Sequence, residues 1–310
     1  MNQNNKMRIY AYLSPHPIEE DLETEVDWLE WIPGFRTEQT ADEEEDNPVF
    51  FEDNIELYDS IENKVVEKMT LAFENIGHLF RDFQIQEIGI SIDIFGLMST
   101  KNSLAGYFPV SSKPYAGYYA FQLDSLMLQK YLFQSAEEIA TNPRSNFVWE
   151  HELLHMLDHR LLEKASIYKS SDEINELYKH FILKFREEGF AELYYFLHGN
   201  YDDITSIEQA KTSFLDLDSE VKRQMEETGL FPKEVYSQYG YYELGPWLLM
   251  DCLYGFEGGF HKDIIGGALQ KVFRKEALSK EEIFEIIKIA LRVSIKDFLD
   301  YSKRIQLPKN

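Results

Sequence analysis

Residues 151–159 read HELLHMLDH and hold three of the chain's eight histidines. In a helix, His151 and His155 project from the same face, so their imidazole nitrogens can converge on one metal ion. Glu152 follows the first histidine and can reach a water molecule at that ion without binding the ion itself. Two ligands and a general base on one helix predict metal-dependent hydrolysis, with Zn²⁺ as the expected ion.

A third histidine on the same helix does not complete this site. His159 lies eight residues after His151, which corresponds to about 12 Å along a helix axis. A straight helix cannot place both residues around one ion together with His155. We therefore exclude His159 as a ligand and expect it to be a polar residue at the helix end or a group that supports a ligand.

The segment KFREEGFAELYYFLHG (184–199) is the better source of a third ligand. Glu188 and Glu192 are four residues apart on a predicted helix and share a face. One carboxylate could bind the ion while the other accepts a hydrogen bond from a ligand histidine. Gly189, between them, would let two helices approach closely.

These motifs resemble those of the gluzincin zinc peptidases. HELLH followed, 33 residues after His155, by EGFAE is similar to the zinc-binding segments of the thermolysin-like and aminopeptidase-like members. The resemblance implies that Glu188 is the third Zn²⁺ ligand and that Glu192 supports His151. Asp158, three residues after His155, resembles a residue on the zinc helix of neprilysin-like and lethal-factor-like gluzincins, which implies a supporting role behind the ligands.

A later segment, GYYELGPWLLMDCLYG (240–255), extends the resemblance. Its YELG is similar to the Y-E-x-G helix start of aminopeptidase N-type gluzincins, where the tyrosine stabilises the oxyanion. This implies that Tyr242 is the oxyanion donor, with Tyr241 as the alternative. We find no counterpart of the G-A-M-E-N strand with which aminopeptidases bind a free N-terminus, so aminopeptidase activity is not implied.

The elements that position these residues follow from hydrophobic periodicity. Apolar residues at three- and four-residue spacings predict a helix over 55–83, and strict alternation in IQEIGISIDIF (85–95) predicts a strand. Residues 107–110 and 115–124 continue the extended character. We expect a small, mostly antiparallel sheet.

Beyond residue 125 the pattern is helical almost to the end of the chain. Helices are predicted at 125–140, 145–164, 171–198, 206–227, 242–255, 261–274, 280–291 and 294–305. Ser279 and Glu282 form a predicted capping box at one helix start. The expected fold class is α+β, a zincin-like domain at 55–310 with a sheet-containing part (55–144) and a helical part (145–310), preceded by an acidic, loop-rich segment (1–54).

Composition limits the classes of partner. The formal net charge is −24, from 55 acidic against 31 basic residues, which argues against a nucleic-acid backbone or an anionic membrane. Cys252 is the single cysteine, and the N-terminus lacks the apolar run of a signal peptide. No stretch of about 18 apolar residues predicts a spanning helix. We expect a cytoplasmic location, with export by a route that uses no cleaved signal as the alternative, and leave the oligomeric state open.

The resulting prediction is a zinc-dependent peptidase acting on a peptide or protein substrate. Two alternatives remain: a narrowly specific effector or toxin protease, and a non-catalytic protein that keeps the zinc site for binding or regulation. Glu152 argues against the second alternative, because a purely structural zinc site does not require a general base.

Overall fold

The structure, a computed structural model, describes residues 8–14, 55–80, 87–93, 105–108, 118–124, 147–162, 173–200, 204–232, 240–255 and 259–305. The chain divides into two compact units, residues 1–153 and 154–310. The division falls inside a helix at residues 148–162 that is continuous through it. The N-terminal unit carries a sheet, and the C-terminal unit is helical in its described residues.

The first helix of the N-terminal unit lies where the sequence predicts it. Helix α1 (Ile55–Ile76) runs directly into a short 3-10 helix, Gly77–Phe80, and both lie within the predicted range 55–83. The buried side chains of α1 recur at helical spacing, as expected when one face of a helix packs on a core: Val65, Met69, Ala72 and Ile76.

Four strands form one sheet in this unit. They are β1 (Arg8–Ser14), β2 (Glu87–Asp93), β3 (Ala105–Phe108) and β4 (Tyr118–Asp124), in the spatial order β1-β2-β4-β3. The strands β1 and β2 pair in parallel, as do β2 and β4, and only β3 and β4 pair antiparallel.

The prediction of an α+β fold with a small, mostly antiparallel sheet is therefore wrong. Helices account for most of the described residues, and the sheet is mostly parallel. Alternation at Ile88 and Ile90 correctly indicates one buried strand face, but a period of two is the same for either strand direction. Parallel neighbours need long crossover connections, which residues 15–86 and 94–117 supply.

Strand β1 was not predicted, since it lies in the segment 1–54 that was expected to be loop-rich. Its partner β2 runs through the alternating isoleucines, so an N-terminal segment contributes to the same sheet. Residues 15–54 of the predicted acidic, loop-rich segment and the predicted helix 125–140 lie outside the described residues.

The C-terminal unit contains most of the helices. They are α2 (Val148–Leu162, shared with the N-terminal unit), α3 (Glu173–Ala191), α4 (Leu193–Leu197), α5 (Ile207–Thr228), α6 (Gly240–Gly255), α7 (Gly259–Phe273), α8 (Lys280–Ala290) and α9 (Ile295–Arg304). These bounds agree closely with the predicted helices. The predicted helix 171–198 is interrupted at Glu192, which separates α3 from α4.

Helix α6 forms the centre of this unit and packs against α3, α5 and α7. Most of its apolar residues are buried, including Leu244, Trp247, Leu248 and Leu253, whereas Tyr254 near its C-terminal end is exposed. An aromatic cluster joins α6 to α3. Within it, the ring centroid of Tyr241 on α6 lies 4.8 Å from that of Phe185 on α3. None of the helices in the described ranges is both long and apolar enough to cross a membrane.

The predicted capping box at the start of α8 is confirmed. The backbone N–H of Ser279 donates to the Glu282 carboxylate (2.8 Å), and the backbone N–H of Glu282 donates to the Ser279 hydroxyl (3.2 Å). These bonds satisfy amide groups that otherwise lack partners at a helix start.

Candidate metal centre

Helix α2 carries the two histidines of the HELLH motif. His151 and His155 are partly buried, and the residues between them are buried. Because α2 is continuous, the two histidines lie about one turn apart on the same face, as the spacing predicts. Glu152 is only 6% exposed, which is rare for a glutamate unless it is paired.

The predicted third ligand, Glu188, lies beside His155. Its Oε2 is 3.2 Å from His155 Nε2, and the carboxylate is largely buried. The possible ligand atoms of His151, His155 and Glu188 all lie within 4.8 Å of one another. Helix α2 and helix α3 thus bring together the three residues that the sequence names as ligands.

This donor set fits a zinc ion. Two ligand atoms bound to a tetrahedral zinc ion are separated by about 3.3 Å. The separation of His155 Nε2 and Glu188 Oε2 already matches that value. Two imidazoles and one carboxylate leave a fourth position for water or substrate, which is the arrangement of a catalytic rather than a structural zinc site.

Lys184 lies one turn before Glu188 on α3 and was not predicted as part of the site. Its Nζ is 3.4 Å from Glu188 Oε1 and 3.2 Å from Glu187 Oε2. Burial disfavours the charge on Lys184, but Glu187, Glu188 and the phenol of Tyr242 outweigh burial and raise the pKa of its ammonium above the ordinary value. The group therefore remains a cation.

The two candidate tyrosines have different surroundings. Tyr241 is buried in the aromatic cluster, with its ring centroid 4.8 Å from Phe185 and 6.2 Å from Phe181. Tyr242 is partly exposed and lies close enough to Lys184 to influence its pKa. The partial exposure of Tyr242 favours it over the buried Tyr241 as a donor to a substrate.

Two glycines allow α3 and α6 to cross in close contact. A Cβ on Gly189 would lie 2.4 Å from the backbone carbonyl carbon of Gly245, and a Cβ on Gly245 would lie 2.7 Å from Gly189 Cα. Gly189 was expected to let two helices approach closely around an ion; the close approach found at this residue is to α6, the helix that carries Tyr242. The Gly189–Gly245 crossing therefore sets the distance between the Glu188 and Tyr242 backbones.

A buried ion pair joins the histidine helix to the glutamate helix. Both carboxylate oxygens of Asp158 accept hydrogen bonds from Arg186, at 2.6 and 2.7 Å, and Arg186 Nε donates to the carbonyl of Val293. Arg186 is 1% exposed and Asp158 is 3% exposed. Asp158, predicted to support the ligands, thus binds Arg186, which the sequence analysis did not single out.

A signal for Arg186 does exist in the sequence. Ile182, Arg186 and Phe190 follow one another at four-residue spacing on α3, and Ile182 and Phe190 are both buried. A cation on the apolar stripe of a helix must be paired when it is buried. The pattern therefore predicts a buried partner, although it does not identify Asp158.

Glu192 is buried, 4% exposed, and lies one turn after Glu188, where α3 gives way to α4. Its support of His151 stays a prediction. His159 lies within α2, but its side chain is outside the described residues.

Comparisons with protein-family models, with curated proteins and with solved structures find no match to this chain. The resemblance to gluzincins therefore depends on the short motifs and on the chemistry of the residues that the fold brings together.

Proposed function

We propose that the protein is a zinc-dependent peptidase of the gluzincin type, with His151, His155 and Glu188 as the metal ligands. The observation that carries the proposal is the approach of Glu188 to His155 from a different helix, 33 residues away in sequence. The Glu188 carboxylate is largely buried beside a ring nitrogen of His155, which is expected when the two residues bind one metal ion. A solvated helix that merely contains histidines gives no reason for this approach.

The chain's own residues supply the acid–base chemistry. Bound Zn²⁺ lowers the pKa of water and polarises a substrate carbonyl. Glu152 accepts a proton from the attacking water as the water oxygen adds to the carbonyl carbon. It then transfers that proton to the leaving nitrogen as the C–N bond breaks. Tyr242 donates a hydrogen bond to the carbonyl oxygen as negative charge develops on it.

Replacing Glu152 by glutamine tests this assignment. We expect Glu152→Gln to retain about one equivalent of zinc, since Glu152 is not a ligand. We expect its hydrolysis rate to fall by roughly 10²- to 10⁴-fold, the usual contribution of a general base. Metal content is measured by elemental analysis, and hydrolysis is followed on a broad panel of fluorogenic peptides.

The matched control is Glu226→Gln, which makes the same change at an exposed residue of α5 and should leave zinc content and hydrolysis unchanged. Full activity in metal-free protein or in Glu152→Gln would contradict the proposal. A zinc-loaded parent protein that cleaves nothing on the panel would contradict a broadly acting peptidase and favour either a narrowly specific protease or a metal-dependent binding protein.

A further inference from the structure

The two oxygens of the Glu188 carboxylate face different partners. Oε2 lies 3.2 Å from His155 Nε2, within the group of possible ligand atoms. Oε1 lies 3.4 Å from Lys184 Nζ. The carboxylate is therefore divided between a histidine on α2 and a cation on its own helix, α3.

We infer that Lys184 is a positioning residue that holds Glu188 Oε1 and leaves Oε2 as the single oxygen offered to the metal. This inference rests on the proposed function, because it assigns the role of Lys184 relative to the zinc site. Lys184 lies outside both the HELLH and the EGFAE motif, so neither motif gives it a role. Lys184 does not touch the substrate in this role; it acts through the ligand Glu188.

The surroundings of Lys184 support a fixed position for its ammonium group. Lys184 and Glu188 are four residues apart on α3, so the helix itself brings the two side chains together. Glu187 binds the same ammonium from 3.2 Å, which gives it a second anchor on the helix. The Lys184 side chain is about one-quarter exposed, so water screens these contacts less than it would on an open surface.

A fixed ammonium has two effects on Glu188. It orients the carboxylate, since rotation about the last side-chain bond would break the contact to Oε1. It also offsets part of the cost of keeping the Glu188 charge largely buried before any metal binds. Groups that orient a metal ligand in this way typically change metal affinity by about 10- to 100-fold when they are removed.

The test compares three substitutions in the full-length protein. Lys184→Met removes the charge and the donor, Lys184→Gln keeps a donor without the charge, and Lys184→Arg keeps both. Lys222→Met is the matched control, because Lys222 makes the same four-residue contact to a buried acid, Asp218, on α5. Zinc affinity is measured by competition with a chelator, and ligand geometry by the visible absorption of Co²⁺-loaded protein.

We expect Lys184→Met to weaken zinc binding by about 10- to 100-fold and Lys184→Arg to restore most of the affinity. The Co²⁺ absorption of Lys184→Met should weaken, as expected when a freed second oxygen raises the coordination number. Lys222→Met should change neither measurement. If Lys184→Met fails to fold, as judged by circular dichroism of the metal-free protein, Lys184→Gln carries the test, with a smaller loss expected.

Two results would overturn the inference, and they are distinguishable. A parent protein that binds neither Zn²⁺ nor Co²⁺ would remove the proposed function and the role of Lys184 with it. A parent protein that binds both ions, with Lys184→Met or its Lys184→Gln substitute equal to the parent in affinity and spectrum, would remove only the role of Lys184.

Discussion

Replacing Arg186 by methionine is expected to lower the free energy of unfolding by about 3–5 kcal/mol, because it leaves the carboxylate of Asp158 buried without its partner. Arg186 donates to both oxygens of that carboxylate and to the carbonyl of Val293, so three chain segments lose a contact at once. Asp158 lies one turn after His155, and Arg186 lies two residues before Glu188. We therefore expect weaker zinc binding as well.

Two companion variants separate the causes of this loss. Joint replacement, Asp158→Leu with Arg186→Met, should be milder than Arg186→Met alone, since no buried charge remains unpaired. Arg223→Met removes an exposed arginine that pairs with Glu220 and Glu227, and it should change stability little. Chemical denaturation of the metal-free variants measures all three, and equal stability of Arg186→Met and Arg223→Met would contradict the structural role of the buried pair.

Replacing Gly189 by alanine is expected to disrupt the crossing of α3 and α6. The added Cβ would lie 2.4 Å from the Gly245 carbonyl carbon and 2.5 Å from its oxygen. The obstacle is backbone, which cannot rotate away as a side chain can, so the helices must separate. We expect a loss of stability at or above the upper end of the range of about 1–3 kcal/mol for overpacked sites.

This change should also impair function beyond its effect on stability. Separation of the two helices moves Tyr242 away from Glu188, so hydrolysis should fall even at temperatures where the variant remains folded. Gly267→Ala is the control: Gly267 is an exposed glycine of α7 with open space around its Cβ position. It should gain about 0.5–1 kcal/mol from the better helix propensity of alanine. A folded Gly189→Ala protein with parent stability would contradict the close crossing.

Much of the site could be predicted from spacing alone. The four-residue separation of His151 and His155 needs only a helix to bring them onto one face, and the structure forms that helix. The approach of Glu188 could not follow from spacing, because it depends on how α2 and α3 pack. It followed from the resemblance of EGFAE to a known zinc-binding segment, and the structure places Glu188 beside His155.

The sequence did not reveal which side chains on different helices contact each other. The contact of Lys184 with Glu188 is compatible with their four-residue spacing on one helix. The position of Arg186 on the apolar stripe predicts a buried partner, but only the packing of the helices identifies that partner as Asp158. The same limit explains the error in the sheet: local alternation predicts strands such as β2, but strand order and direction depend on the crossover connections.

Metal titration of the purified protein tests the three-ligand site most directly. The parent protein should bind about one equivalent of Zn²⁺ tightly. Glu188→Ala should lose tight zinc binding, because only two ligands, the imidazoles of His151 and His155, remain. His159→Ala should keep tight zinc binding, because His159 is not one of the proposed ligands. Tight zinc binding by Glu188→Ala, or its loss in His159→Ala, would contradict the assignment of His151, His155 and Glu188 as the ligands.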